Sequence, residues 1–443
     1  MQRLVMKKFG PVKTLDIEIK DFILLVGPQA SGKSTIAKTI FFFKSITTDI
    51  TSLFTDYIKG NKNVNLTVLS IKKVISRKFL DYFGPSSPLS GMELIYYYSD
   101  DSWVKITLEE THNYVTPDFS ENIINNIKQL IRQVKVFAQQ NNSAPLLSIS
   151  DFMRKGSDYD AYISLLETQI QQVFEQNHDL LYIPAGRSLL STLSDQLQSI
   201  DTRCLDCLMK QFIQKIAQLR PVFANNFEDL IKSKMLLLGL GSEKIDFSRV
   251  RLAEKIINNI LKGKYRYDKD GEKIYLAKGS KDSKYVKLNF ASSGQQESLW
   301  ILLLLFVAIL EQQNIFVVIE EPEAHLYPDA QKSISALIAL LSNIKQSQVV
   351  ITTHSPYILA SINNLILAHK VSKQHPAEVQ NKINKNLWID RNKVYAAILQ
   401  NGEASEIIDS EFDIIKQDVI DGVSHVINEE FDFLFSYEID EEN

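Results

Sequence analysis

The chain of 443 residues carries 49 Lys and Arg side chains against 53 Asp and Glu, and its net charge of −4 excludes a globally basic nucleic-acid-binding protein. Its 45% hydrophobic content can supply the core of one large domain or of two to three lobes. Two cysteines, Cys204 and Cys207, disfavour a disulfide framework and suit a reducing cytosol. Residues 1–8 lack the apolar core of a signal peptide, and the apolar run 299–310 is too short to span a bilayer. We therefore expect a cytoplasmic protein with no membrane partner.

The N-terminal segment predicts two strands, residues 4–9 and 15–19, followed by an apolar strand over residues 22–26. A glycine loop comes next, and then a helix that runs to about residue 46. Strand, glycine loop and helix in this order form the P-loop pattern. The predicted phosphate-binding residues are Gly27, Pro28, Gln29, Ala30, Ser31, Gly32, Lys33, Ser34 and Thr35.

The chemistry of polyphosphate binding explains this spacing. Gly27 and Gly32 allow the backbone to turn its N–H groups inward, and the following helix points its positive end at the same place. Lys33 can reach the β- and γ-phosphates, and the Ser34 hydroxyl can bind Mg²⁺. The alternative is a chance glycine turn, which the flanking strand and helix disfavour.

The middle of the chain predicts a hairpin, with strands at residues 93–98 and 103–108, and then mostly helix up to residue 262. One strand, residues 180–184, interrupts the helical pattern and is followed by Arg187, which we expect either to face a nucleotide or partner or to form a structural salt bridge. The predicted helices are residues 122–138, 159–176, 205–219, 226–235 and 247–261.

Residues 262–287 form a basic segment, with nine Lys and Arg against four Asp and Glu and with four interleaved tyrosines. The strands 265–267 and 273–277 predict a hairpin here. The segment fits either a nucleic-acid-binding surface or a solvated hairpin of the kind common on protein surfaces.

A second chemical stretch is the apolar strand 315–319, which ends in Glu320 and Glu321. A buried parallel strand delivers acidic groups to its C-terminal edge in this way. We expect Glu320 to hold Mg²⁺, and Glu321 to orient or deprotonate the attacking water. Two acids at the start of a solvated loop are the alternative.

Two further stretches complete the predicted site. Ser292, Ser293, Gly294 and Gln295 precede an apolar helix and offer hydroxyl and backbone donors to an anion, although a plain helix cap has the same pattern. The strand 348–353 ends at His354, which can contact a γ-phosphate or be structural.

The order of these motifs resembles ABC-class ATPases of the SMC, RecF and OLD group. The resemblance assigns Walker A to Gly27–Ser34, the signature to Ser292–Gln295, Walker B to residues 315–320, the catalytic carboxylate to Glu321 and the switch histidine to His354. It implies ATP and Mg²⁺ as ligands and a head-to-tail pair of copies, because in this class the signature of one subunit completes the nucleotide site of another. Glu320 replaces the commoner Asp, and Ser293 replaces the usual Gly.

We therefore predict an α/β fold, an ABC-type P-loop head with a large, mostly helical insertion between Walker A and the signature. Lys33 and Gly294 are 261 residues apart, without the heptad array of an SMC arm. The predicted units are an ATPase lobe (1–115), the insertion (116–262), a second ATPase lobe (263–365) and an α/β extension with an acidic tail and no Toprim domain (366–443).

A stand-alone ATPase of this kind resembles the OLD-like sensor subunits of PARIS-type anti-phage systems. The phosphate loop, the stretch from Tyr182 to Arg187 and the stretch from Ser292 to Glu297 carry this likeness. It implies a homo-oligomer, a separate Toprim or HNH nuclease as effector and a phage protein as trigger. The alternative is a RecF-like repair ATPase that binds DNA directly through residues 262–287.

Overall fold

The structure is a computed structural model, and it describes residues 1–61, 65–85, 89–108, 114–142, 149–187, 190, 205–224, 227–238, 246–276, 284–409, 411–416 and 428–434. Cys204, residues 277–283 of the basic segment and residues 435–443 of the acidic tail lie outside the described residues.

One large sheet runs through the described part of the chain. It contains eleven strands in the order β6-β5-β4-β1-β2-β14-β13-β3-β12-β11-β7, and two smaller sheets pair β10-β9-β8 and β15-β16. The strands are β1 Arg3–Phe9, β2 Val12–Glu18, β3 Phe22–Val26, β4 Glu93–Tyr97, β5 Trp103–Thr107, β6 Thr116–Phe119, β7 Asp179–Ile183, β8 Gly263–Asp268, β9 Gly271–Leu276, β10 Tyr285–Lys287, β11 Ile315–Glu320, β12 Gln348–Thr353, β13 Val394–Gln400, β14 Glu403–Glu406, β15 Ile408–Asp409 and β16 Ile414–Ile415.

Helices cover both faces of this sheet. They are α1 Lys33–Lys44, α2 Ile46–Ile58, α3 Val68–Phe83, α4 Glu121–Asn142, α5 Ile149–Val173, α6 Cys207–Leu219, α7 Phe227–Leu238, α8 Phe247–Leu261, α9 Ser293–Glu311, α10 Pro328–Ser342, α11 Pro356–Val371 and α12 Pro376–Lys382. Successive side chains of a strand point to opposite faces, so Ile23 and Leu25 pack with α1–α4 while Leu24 and Val26 pack with α8–α11. A strand buried on both faces must be apolar throughout, as β3 and β11 are until Glu320.

The α/β class predicted from the sequence is confirmed. Both predicted hairpins form, as β4–β5 and β8–β9. Helix α1 ends at Lys44 rather than at residue 46, because the chain turns at Ser45, whose hydroxyl donates to the Phe42 carbonyl, before α2 begins.

Strand β7 comes from the predicted insertion, yet it pairs in parallel with β11 in the large sheet, with Ile183 opposite Ile319. This pairing places the residues after β7 beside the end of β11. The predicted domain boundaries themselves stay predictions.

Helix α9 is, within the described ranges, the one helix whose length and composition would suit a membrane crossing, and 72% of its most apolar window is buried inside the protein. Its core-facing residues include the fully buried Trp300.

Candidate functional site

Three parallel strands end together at one edge of the large sheet. In the register, Val26 of β3 lies opposite Thr353 of β12, and Thr352 lies opposite Glu320 of β11. The phosphate loop, Glu321 and His354 follow directly after these strand ends, and Glu320 is the last residue of β11. The sheet therefore brings together the Walker A, Walker B and switch residues predicted from the sequence.

At the start of the phosphate loop the backbone has a conformation that glycine adopts more easily than any other residue. Gly27 has φ 143°, and a Cβ on it would lie 2.5 Å from the Leu399 carbonyl oxygen. Gly32, with φ 106°, is the N-cap of α1. The top of the loop, from Pro28 to Ala30, is exposed, so its backbone is accessible to a ligand.

Lys33 lies inside this loop with 5% of its surface exposed. Its Nζ donates to the carbonyl oxygens of Gly27 at 3.0 Å and Pro28 at 2.8 Å. Burial lowers the pKa of this ammonium, while Glu321 and Glu323 oppose that shift, which places both carboxylates near it. Ser34 is exposed on the first turn of α1, where the N-terminal N–H groups favour an anion.

Glu320 is a buried carboxylate with one satisfied oxygen. Its Oε2 accepts from the Ala185 amide at 3.0 Å, whereas its Oε1 is buried without a hydrogen-bond partner. The hydroxyl of Thr352, on the neighbouring strand, is also buried without a hydrogen-bond partner. An orphaned carboxylate oxygen is costly in a protein interior, and a hard divalent cation satisfies it. The Glu320 carboxylate is therefore chemically suited to a divalent cation such as Mg²⁺.

Glu321 follows in a left-handed backbone conformation with φ 44°. Its amide donates to the Thr352 carbonyl oxygen at 2.9 Å, and its Oε1 lies 3.3 Å from His354 Nε2. The carboxylate is 39% exposed, so water can reach it. The Glu321 carboxylate is thus held beside a polar partner and open to solvent.

Glu323 holds the backbone at the end of β12 by hydrogen bonds. Its Oε1 accepts from the Thr353 hydroxyl and from the His354 amide, both at 2.7 Å. Ser355 then caps helix α11 with its side chain. These bonds fix the backbone on which the His354 ring is mounted.

The predicted signature forms the start of α9. Ser292 is the N-cap of a capping box with Gln295, as the helix-cap alternative proposed, and Ser292 and Ser293 are exposed. Gly294 allows a close approach, because a Cβ on it would lie 2.7 Å from the His325 carbonyl oxygen. The signature turn thus lies against the loop that follows Walker B.

Arg187 is completely buried and pairs with Glu297, so the structural salt bridge is the alternative that the structure confirms. The sequence did not reveal the role of Glu297. An Arg in the loop after β7 and an acid one turn into the apolar helix are the signals in the sequence, and they do not identify the pair.

Residues 1–359 match the model of the family described as AAA ATPase domain, which is well over half of the chain. No curated protein matches. The SMC head domain from Thermotoga maritima is 12% identical and covers 91% of this chain and 97% of its own, with a TM-score of 0.36. The Smc head domain bound to the C-terminal domain of ScpA derived from Pyrococcus furiosus is also 12% identical, covering 92% and 96%, with a TM-score of 0.38.

At these values the two heads add nothing to the assignment of the site, which depends on the family match and on the geometry of the sheet edge. The family match and the geometry of the sheet edge both indicate nucleotide binding. The chain belongs to the AAA ATPase domain family, and its sheet edge carries a P-loop nucleotide site.

Proposed function

We propose that the protein is an ABC-type ATPase that hydrolyses Mg²⁺-ATP at composite sites formed between two copies. The observation that carries this proposal is the Glu321–His354 pair, 3.3 Å apart at the sheet edge that also carries Lys33. A P-loop alone would serve nucleotide binding, whereas a held carboxylate beside it serves hydrolysis.

Each residue has a distinct task in this proposal. Lys33 and the loop amides bind the β- and γ-phosphates, and bound Mg²⁺ would neutralise their charge. Glu321 orients the attacking water and takes its proton. His354 contacts the γ-phosphate and, through its ring, keeps the Glu321 carboxylate in place.

The exposed surface around the site supports a head-to-tail pair. Large aromatic side chains flank three of the motifs: Phe290 is 78% exposed before the signature, Tyr327 76% exposed after Walker B and Tyr357 52% exposed after His354. Exposed aromatic residues of this size are enriched at protein interfaces. Together with the exposed Ser292 and Ser293 they fit the surface that meets a second copy.

The biochemical test is phosphate release by the purified protein with Mg²⁺-ATP. We expect activity that Lys33→Ala and Glu321→Gln both remove. Activity that both variants retain would identify a contaminating ATPase and contradict the proposal.

In the cell we propose that this cytoplasmic ATPase is the sensor and scaffold subunit of an anti-phage system that controls a separate Toprim or HNH nuclease. The support is the likeness of its motifs to those of OLD-like sensor subunits. The test is co-expression with the nuclease encoded beside it, followed by phage challenge and co-purification. Protection should require both genes and Lys33. A purified chain that cleaves DNA by itself would contradict this role.

The RecF-like alternative depends on the basic hairpin. Lys273 in this hairpin is buried and paired with Asp268 at 2.9 Å and Asp270 at 3.1 Å, and Arg266 lies over the Tyr275 ring. These contacts neutralise part of the segment's charge and favour a solvated hairpin. Salt-dependent DNA binding that is lost on replacing the exposed Lys264 and Lys269 with Ala would favour the alternative.

A further inference from the structure

Arg187 donates hydrogen bonds into three segments of the chain at once. Its Nη1 donates to the carbonyl oxygens of Pro184 at 2.6 Å and Glu320 at 2.7 Å, and its Nη2 donates to that of Glu321 at 2.9 Å. Its Nε donates to the carbonyl oxygen of Glu297 at 3.2 Å. Burial lowers the pKa of this guanidinium, and Glu297 is the first of four carboxylates that oppose the shift.

Glu297 connects this arginine to the signature. It lies one helical turn into α9 from Ser293 and Gly294 and is 2% exposed. Its Oε1 accepts from the Arg187 amide at 3.0 Å and lies 3.6 Å from Arg187 Nη2. A helix moves as a rigid body over so short a distance, so a displacement of its first turn displaces Glu297.

The main chain at the end of Walker B is held by this arginine. Two successive carbonyls, those of Glu320 and Glu321, accept from the same guanidinium, and the Glu321 amide is held by Thr352. Glu321 needs such support because its φ of 44° is unfavourable for a residue with a side chain. The peptide that carries the base thus has its orientation set by Arg187.

We propose that Arg187 is a positioning residue that couples the signature helix to the catalytic carboxylate, so that contact of Ser293 and Gly294 with a neighbour's nucleotide orients Glu321 in the same chain. This inference rests on the composite site of the proposed function. Arg187 acts through the backbone of Glu321 and through Glu297. A planar guanidinium with five donors can hold four acceptors in three segments at once, which a lysine cannot.

The test separates assembly from turnover. Phosphate release is measured against ATP concentration and against protein concentration for the wild type, Arg187→Lys and Glu297→Gln. Arg187→Lys keeps the positive charge but loses the planar set of guanidinium donors. Glu297→Gln is nearly isosteric with the wild type, so the test relies on this variant if Arg187→Lys does not fold. A misplaced base lowers the plateau rate by about 10- to 100-fold. The KM for ATP and the protein concentration at half-maximal rate should stay within about two-fold.

A matched control is available in a second shielded ion pair. Arg220 Nε lies 2.8 Å from Glu272 Oε1, and the Arg220 guanidinium also contacts α9 through the Trp300 ring, 5.4 Å from its centroid. Its partner Glu272 is on β9, away from the Walker B strand. Arg220→Lys should keep the plateau rate, even where it lowers the melting temperature.

Two results would overturn the inference. One is a normal plateau in Glu297→Gln and in folded Arg187→Lys. The other is a change confined to KM or to the half-maximal protein concentration, because that pattern belongs to a purely structural or assembly role. If the wild-type protein does not hydrolyse ATP, or if its rate per chain is independent of protein concentration, the result contradicts the composite site instead. The proposed coupling then has no basis.

Discussion

His354 Nε2 lies 3.3 Å from Glu321 Oε1, although the two residues come from the ends of different strands, β12 and β11. Glu323 fixes the His354 amide at 2.7 Å, and Thr352 fixes the Glu321 amide at 2.9 Å. Both side chains are therefore mounted on a backbone whose position is set by neighbouring strands. The proposed role of Glu321 as the base requires such preorganisation, because misplacement by about 1 Å can cost about 10²-fold in rate.

The first prediction concerns Lys33. Lys33→Ala should abolish measurable ATP binding while leaving the melting temperature unchanged or slightly raised, because the ammonium donates to two loop carbonyls and its desolvation opposes folding. Calorimetric titration with ATP and a thermal melt measure the two effects. Lys38→Ala, in the same helix but paired with Asp206, is the control and should bind ATP normally. Unchanged affinity in Lys33→Ala would contradict the phosphate-loop assignment.

The second prediction concerns Glu321. Glu321→Gln should bind ATP with near-normal affinity and hydrolyse it about 10²- to 10⁴-fold more slowly, because the amide keeps the shape but cannot take a proton. Single-turnover hydrolysis and size-exclusion chromatography with ATP test this, and the variant should accumulate as the ATP-bound pair. Asp329→Asn, an exposed acid in the first turn of α10, is the control. Near-normal turnover would assign the base to Glu320 or Glu323 instead.

Much of the nucleotide site could be predicted from the sequence, because each motif is local. A glycine loop followed by Lys-Ser needs only its flanking strand and helix, and an apolar strand that ends in Glu320 and Glu321 has its C-terminal edge defined by its own composition. His354 follows the same rule at the end of β12. These residues lie at one edge because parallel strands in one sheet end together.

The contacts between distant segments could not be predicted from local pattern. Arg187 and Glu297 are 110 positions apart, and their pairing depends on β7 lying beside β11, which helical periodicity in the surrounding segment does not reveal. The role of Glu323 was missed for the same reason. A carboxylate that accepts from the Thr353 hydroxyl and the His354 amide is recognised only when both strand ends are in place.

The third prediction concerns pH and Lys44, which is fully buried at the end of α1. Its Nζ donates to Gln2 Oε1 at 2.9 Å and Gln176 Oε1 at 3.0 Å, and burial lowers its pKa from 10.5 to about 7. Between these values the unfolded chain binds more protons than the folded protein. The free energy of unfolding should therefore rise with pH above about 7, by up to about 1.4 kcal/mol per pH unit. Below pH 7 Lys44 is protonated in both states, so it adds no pH dependence there.

Urea unfolding from pH 7 to 9 measures this slope, in a window that avoids the ionisation of unfolded tyrosines. In Lys44→Met the slope should decrease, and the slope that remains belongs to Lys33 and Lys78, whose pKa values burial also lowers. The variant should be more stable than the wild type at pH 7, because it removes a charge that burial penalises. A wild-type midpoint that is flat between pH 7 and 9 would show that Lys44 stays charged in the folded protein.

The last prediction concerns the composite site. If Ser293 and Gly294 complete a neighbour's pocket, each active site takes Lys33 and Glu321 from one chain and the signature from the other. Lys33→Ala loses the phosphate contact, and Ser293→Arg inserts a bulky cation at the exposed start of α9, so each variant alone should be inactive. In a mixed pair, one pocket carries both defects and the other carries neither.

Mixing equal amounts of the two variants, with free exchange of subunits, should therefore restore about a quarter of the wild-type rate, since about half of the pairs are mixed and each has one intact pocket of two. The same fraction holds for a higher oligomer built from such pairs, provided that one intact pocket turns over alone. Steady-state phosphate release, measured separately and after mixing, gives the result. If pocket and signature belonged to one chain, every pocket would hold one defect and no activity would return. Failure to recover activity despite demonstrated exchange would therefore contradict a site completed by a second copy.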